Sequence, residues 1–328
     1  MPVKTVTVIV VNWNGGEIIG DCLHGLARQS LRPTRVLVID NGSTDGSAER
    51  IEHMSGITLR KAGANLGFAA GNNRALAECD TEFVALLNPD ALPEEDWLAN
   101  LVAAAEAHPK AASFGSRQMM HGVPDMLDGV GDVYHVSGAA WRHGYNRRLR
   151  DSDLQAREIF CACAAAVLYR RDAIVEAGGF DEDFFCYVED VDLGFRLRLA
   201  GHSCRYVPDA VVHHVGSAST GGQNSAFSVY HGHRNLVWAY IKNMPGYLFW
   251  ALLPIHLLMN AVGLAYFVTH RLPKVIVRAK WDALKGIAKM WEKRRAIQAK
   301  RRASPADIWR VLDKSWTKAQ QLRDPDFG

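Results

Sequence analysis

The chain has 328 residues, 48% of them hydrophobic and 22% charged, which suits one sizeable domain with an appendage, or two small domains, and excludes a low-complexity chain. The net charge of +3 averages over an uneven sequence. Between Lys274 and Arg302 eleven Lys or Arg face only Asp282 and Glu292, a basic stretch that calls for an anionic partner, either a membrane surface or a nucleic acid. Six cysteines without a CxxC pair, most among apolar neighbours, read as free thiols in a reducing compartment. The start of the chain, VKTVTVIVVNW, goes directly into strand-like sequence with no signal-peptide pattern, so a cytoplasmic setting is expected.

In chain order, residues 5–11 read as a short buried strand, β-branched and continuous. Residues 17–29 carry Ile18, Ile19, Cys22, Leu23 and Leu26 at helical spacing, and Pro33 follows. Residues 36–39 form a second buried strand, ended by the turn-rich DNGSTDGS. A helix is expected over 48–54, a strand over 57–60, a helix over 69–77 and a strand over 83–87. Pro93 is expected to open a helix through Ala107, with Glu94, Glu95 and Asp96 in its first turn, where the helix dipole favours them. Near-wholly apolar strands alternating with helices predict an α/β fold, a mostly parallel sheet covered on both faces. Ligands of such sheets sit at the carboxyl ends of the strands, which here carry Asn12-Trp13-Asn14, Asp40-Asn41-Gly42 and Asn88-Pro89-Asp90.

Residues 115–157 look loop-like, order returns over 159–170, and 191–199 read as a helix with Val191, Phe195 and Leu199 on one face. Residues 247–268 are almost unbroken apolar sequence, long enough to cross a bilayer but interrupted by Pro254, His256 and Asn260. Pro254 is expected to break a straight span, which favours an interfacial or re-entrant element. Downstream, Val277, Trp281, Leu284, Ala288 and Trp291 recur at helical spacing among cations, the pattern of a helix lying on an anionic membrane. Beside so much apolar sequence, membrane is the better partner than nucleic acid.

Some chemistries are absent. No GxGxxG follows the first strand, no Gly-Lys pair exists, and no GxSxG elbow is present, so dinucleotide, Walker-type and serine-hydrolase chemistry lack support. What is present is acidic. Asp40, after a buried strand, can accept hydrogen bonds from a base or ribose, with Asn12 and Trp13 completing the cradle, or it can simply form a turn. The run NLGFAAGNN over 65–73 offers glycines for close approach and amides for hydrogen bonding. Asp90 can hold a hard divalent ion, Mg2+ or Mn2+, against a diphosphate. The segment 178–201 crowds Asp181, Glu182, Asp183, Glu189, Asp190 and Asp192 among aromatics, where a carboxylate gains the proton affinity of a general base. His213-His214 follow a strand-like run and can ligate a metal.

Taken in order, VIVVNWNG (8–15), VIDNGSTDGS (38–47), NLGFAAGNN (65–73), LLNPDA (86–91), GGFDEDFFCYVEDVDLGFRLRLAG (178–201) and HHVGSAS (213–219) resemble the family 2 glycosyltransferases of GT-A fold, in their rhamnosyltransferase-like branch. The resemblance covers about residues 4–220 and implies a catalytic domain over 1–225 with a helical, partly membrane-associated extension over 226–328. It implies an inverting transfer with Asp190 as base, Asp40 at the nucleobase and Asn65 and Asn73 shaping the donor pocket. Asp90 would be the last residue of a DxD motif whose first is Asn88, and His213 or His214, with His213 preferred, would be a further metal ligand. Glu189, Asp181 and Asp192 are candidates for the acceptor side. The implied partners are a dTDP-, UDP- or GDP-linked sugar, a glycan or polyprenyl-linked acceptor, and the inner face of the plasma membrane. Two other classes compete: a non-catalytic sugar-nucleotide or glycan-binding module, and a nucleotidyltransferase. Intact Asp40, Asp90 and Asp190 count against the first. The lack of any Lys or Arg in VNWNGGE counts against the second.

Overall fold

A computed structural model describes residues 4–216, 225–270 and 272–315. Its amino-terminal part alternates strands β1 (Val6–Asn12), β2 (Arg35–Asp40), β3 (Ile57–Lys61) and β4 (Phe83–Leu87) with helices α1 (Ile18–Ala27), α2 (Ser47–Ile51) and α3 (Gly67–Leu76). These four strands pair in parallel in the order β4-β1-β2-β3. All seven residues of β1 are buried, because the sheet is covered on both sides. Ile19 and Leu23 of α1 pack on one face and Ala69 and Leu76 of α3 on the other, so two apolar cores sandwich the sheet.

The helix expected from Pro93 starts later. Residues Ala91–Pro93 form a short strand, β5, and helix α4 spans Trp97–Ala107. The reason is a partner remote in sequence: β5 pairs with β13 (Ser203–His214), and the Glu94 N–H donates to the Val211 carbonyl at 3.0 Å, which holds this stretch extended. The expected loop over 115–157 contains a series of strands. These are β6 (Ala111–Met120), β7 (Met126–Gly129), β8 (Asp132–Tyr134), β9 (Ala140–Arg142) and β10 (Arg147–Arg148). After β11 (Arg157–Ile159), strand β12 (Ala166–Arg170) runs antiparallel between β4 and β6, so the sheet as a whole is mixed. Short strands with polar faces lack the continuous apolar signature of β1, β2 and β4, which is why they read as loop.

Helix α5 (Arg171–Glu176) leads to α6 (Glu189–Leu199), the helix expected over 191–199. The carboxyl-terminal part is helical: α7 (Ala226–Asn243), α8 (Gly246–His270), α9 (Pro273–Lys285), α10 (Ile287–Ala299) and α11 (Pro305–Val311). Pro254 does not break α8, which continues through it. A proline removes one N–H bond from a helix, and the turns on either side of this one are held by packing of Phe249 and His256 against the body. By length and composition α8 is long and apolar enough to cross a membrane.

Candidate active site

The parallel register sets the first part of the site. Asn12 ends β1 directly beside Asp40 at the end of β2, and its side-chain amide donates to Asp40 Oδ1 at 2.9 Å. The same amide reaches the hydroxyls of Ser43 (3.1 Å) and Ser47 (3.0 Å), while the other Asp40 oxygen accepts the N–H groups of Gly42 (3.1 Å) and Ser43 (3.2 Å). Asp40 is thus locked in one orientation at the strand ends, with half-buried Trp13 next in the chain. Asn65 is the turn residue at the start of α3, its Oδ1 accepting the Gly67 N–H at 2.9 Å. Gly67 itself has φ +83°, and a Cβ there would lie 2.6 Å from the Phe185 ring, so only glycine lets this segment approach the acidic loop.

The second part forms where β4 and β13 end. The two histidines follow one another in a strand, so their side chains leave on opposite faces. His213 turns outward to exposed Glu94 at 3.0 Å. His214 turns inward, with Nε2 3.2 Å from Asp90 Oδ1 and Nδ1 2.8 Å from Asp128 Oδ2. Of the two, His213 is the one preferred from sequence, but it is His214 that meets Asp90. Burial alone would lower the His214 imidazole, but hydrogen bonds and charge from Asp128 and Asp90 outweigh it and raise it to about 9. Burial pushes the Asp90 carboxyl up, yet His214 wins and holds it below the ordinary value. Asp128 is in turn ion-paired with Arg142, and a Cβ on neighbouring Gly129 would fall 2.2 Å from the Arg142 chain, so β7 needs glycine at this point.

The third part is the start of α6. Asp190 Oδ2 accepts the Ala164 N–H at 3.1 Å, and the adjacent Ala165 carbonyl accepts the Asn88 N–H at 2.8 Å. One short backbone link therefore joins Asp190 to the Asn88-Pro89-Asp90 corner. Burial raises the Asp190 carboxyl above its ordinary value, against the N–H bonds from Ala164 and Val191. Asp132 and Cys163 each bring an atom within 4.8 Å of a carboxylate oxygen of Asp190. Burial, and then the Asp190 charge, push Asp132 up; burial likewise keeps the Cys163 thiol protonated. A hard divalent ion prefers oxygen and imidazole donors such as Asp90 and His214 to the soft Cys163 thiol.

The other carboxylates of 178–201 have structural duties. Asp181 is ion-paired with Lys242 and Lys293, Asp183 with Lys289 and Lys293, and Asp192 with Lys242 (2.8 Å) and Arg196 (2.9 Å). Asp181 and Asp192, expected on the acceptor side, are thus engaged by cations, Lys242 of α7 with both, Lys293 of α10 with Asp181 and Arg196 of α6 with Asp192. Asn73, expected to shape the donor pocket, bonds the acidic segment. Its amide donates to the Phe180 carbonyl (2.8 Å) and to Glu182 (2.9 Å), and its oxygen accepts the Phe180 N–H (2.8 Å). Glu189 is buried, its Oε2 without a hydrogen-bond partner among the described residues, and burial raises its carboxyl strongly. Between these two sets the turn at Phe185, Tyr187 and Val188 adopts φ of 65°, 66° and 70°, costly for non-glycine residues and for branched Val188 above all. The Asn235 amide of α7 steadies it, within 2.8–3.0 Å of the carbonyls of Phe184, Cys186 and Tyr187.

Sequence reasoning missed Asp128, Asp132, Arg142, Asn235 and Lys242. The first three lie in the stretch taken for loop; the last two sit in a helix whose contacts are all long-range.

The sequence model for glycosyl transferase family 2 matches residues 7–177, over half of the chain. The chain belongs to glycosyl transferase family 2. This glycosyltransferase is similar to an N-acetylglucosaminyl-diphospho-decaprenol L-rhamnosyltransferase of Mycobacterium tuberculosis, 32% identical over 242 residues that span 65% of this chain and 77% of the relative. It is also similar to an O-antigen chain rhamnosyltransferase of Salmonella typhimurium, 25% identical over 64% of this chain and 66% of that one. Among solved structures, a mannosyltransferase from Pyrobaculum calidifontis in complex with GDP-Man and Mn2+ superposes with a TM-score of 0.54 at 19% identity, covering 95% of this chain and 87% of that one. The fold is GT-A, and the enzyme is an inverting, nucleotide-sugar-dependent glycosyltransferase.

Proposed function

We propose that the enzyme transfers a deoxyhexose, rhamnose first among them, from a dTDP-, UDP- or GDP-linked donor to a hydroxyl of a polyprenyl-linked or cell-surface glycan at the cytoplasmic face of the plasma membrane. Residues 1–225 are the catalytic domain and 226–328 the membrane-associating extension. In this reading the nucleobase end of the donor lies against Asp40, with Asn12 fixing that carboxylate and Trp13 and Asn65 bordering the pocket. Asp190 takes the proton from the acceptor hydroxyl, and that oxygen attacks the anomeric carbon from the side opposite the diphosphate. Glu189, next to it, faces the acceptor. Support comes from the Ala164–Ala165 link, which ties the base to the Asn88-Pro89-Asp90 corner, and from similarity to a rhamnosyltransferase named for a decaprenol-linked acceptor.

Asp90 and His214 have the chemistry for a divalent cation: one carboxylate oxygen and one imidazole nitrogen already converge at 3.2 Å, a donor set that suits Mn2+ or Mg2+. Such an ion, when bound, would offset charge growing on the departing diphosphate. Binding it requires His214 to give up the proton that Asp90 and Asp128 now favour, so metal affinity rises with pH. Asp128 fixes the His214 tautomer by accepting from Nδ1. Asp128→Asn is expected to weaken Mn2+ binding by about 10–100-fold, read by direct Mn2+ titration as well as by activity. Unchanged affinity would remove Asp128 from that role.

The deciding experiment is a panel of nucleotide sugars given to the purified protein, with nucleoside diphosphate release followed with and without Mn2+. A deoxyhexose donor should turn over fastest; turnover of none, or of hexosamine donors alone, refutes the sugar assignment.

A further inference from the structure

Helix α8 turns apolar side chains outward as well as inward, and sends two polar ones into the body. In a helix packed on a water-soluble body, apolar side chains face inward and polar ones outward. Here the inward face also carries polar groups. His256 is buried, its Nδ1 2.8 Å from the Ser137 carbonyl, and its ring stacks on Tyr240 at 3.9 Å. One turn on, Asn260 accepts from Lys280 of α9 at 2.5 Å. The outward face is apolar along its length, with Tyr247, Trp250, Leu257, Leu258, Val262 and Tyr266 on one side of the helix, all 42–65% exposed. Beside it, α9 exposes Val277, Trp281 and Leu284 at 53–58%, interleaved with exposed Arg278 and Lys285.

We propose that the outer faces of α8 and α9 together form a docking surface for an anionic lipid leaflet, with α8 lying in the membrane plane rather than crossing it. The inward contacts of α8 run from Phe249, packed on Tyr240 and Trp291, to Phe267, packed on His233. At 1.5 Å per residue these contacts hold about 27 Å of helix flat against the body. Crossing a bilayer would strip that whole face from its partners, carry His256 and Asn260 into hydrocarbon and leave Lys280 of α9 without its bond to Asn260. Lying in the plane keeps every one of these bonds and buries only the apolar side. The interleaved cations choose the lipid: Arg278 and Lys285 sit at headgroup level once Trp281 and Leu284 enter. This deepens the lipid-linked-acceptor reading above, but vesicle binding reads the surface without any turnover, so one can fail without the other.

The test is co-sedimentation of the full chain with vesicles of pure phosphatidylcholine or of phosphatidylcholine with phosphatidylglycerol. Binding to the anionic vesicles is expected, weakening with salt, and the double variant Leu257→Glu, Leu258→Glu should lower it at least about tenfold. That variant should keep release of nucleoside diphosphate from donor alone, which shows that it is folded. Equal binding to both lipids, or no effect of the double variant, overturns the proposal. So does a dimer in solution that the double variant dissociates, which would make the face a contact between two copies. For orientation, a nitroxide placed by Tyr247→Cys, Leu258→Cys or Tyr266→Cys should report one shallow depth at all three sites. A deep central site flanked by sites at opposite surfaces would establish a span instead.

Discussion

Asp190→Asn is expected to abolish transfer while leaving donor binding intact. Asparagine keeps the shape and can still accept the Ala164 N–H, but it takes no proton at accessible pH. General-base assistance of this kind is worth about 10²–10⁴-fold in rate, so kcat should fall by that much with KM for the donor nearly unchanged. The pH profile supplies a second readout. The Asp190 carboxyl is raised by burial, so the protonated, inactive form persists to higher pH than for an ordinary carboxylic acid. Wild-type activity should rise with pH through that raised value, and the limb should be missing from the residual activity of the variant. A variant with full activity, or one that keeps the same limb, would remove Asp190 from the mechanism.

Lys242→Met should carry the largest cost in stability. The Lys242 side chain is 1% exposed and lies between Asp181 and Asp192, themselves 8% and 0% exposed. Removing one partner from a buried ion pair typically costs about 3–5 kcal/mol, because the remaining charge stays buried. Arg196 and Asn243 still serve Asp192, and Lys293 still serves Asp181, so the lower end, roughly 3 kcal/mol, is expected. Adding Asp181→Asn should recover part of the loss, a coupling that a double-mutant cycle measures. Linkage gives a pH signature. Lys242 and Lys293 hold Asp181 well below the usual carboxylate range, against burial. A depressed carboxyl contributes stability that is present above its unfolded value, near 3.8, and is lost as pH falls through its folded one. Wild type should therefore lose stability below about pH 4, and Lys242→Met should lose less over the same interval. Urea unfolding at pH 7 and pH 3 reads both numbers; equal midpoints for the two proteins at pH 7 would show the network to be energetically idle.

The two predictions fall on opposite sides of what a sequence makes legible. The four parallel strands and their helices were readable because a sheet covered on both faces demands continuous apolar runs such as VTVIVV and FVALL, and such runs are local. Their carboxyl ends were readable for the same reason, which put Asn12, Asp40 and Asp90 in the candidate site. The acidic stretch announced itself by composition, but composition gave no ranking within it. Asp181, Asp183 and Asp192 look no different from Asp190 until α7 and α10 deliver Lys242, Lys289 and Lys293 to them.

The same limit explains the histidines and the middle of the chain. Which of two adjacent residues in a strand faces inward depends on register, and β13 takes its register from β5 and β6, remote in sequence. His214 and Asp128 meet across 86 positions. Strand β5 was mistaken for a helix start because its only reason to be extended is that distant partner. By itself the sequence determined the α/β alternation, the strand-end carboxylates and the apolar, basic carboxyl-terminal region, all of which are written in residue type and short spacing. Tertiary structure alone decided which acids of the cluster are ion-paired, which histidine meets Asp90, and which face of α8 turns outward, because charge pairing and burial are properties of neighbours in space.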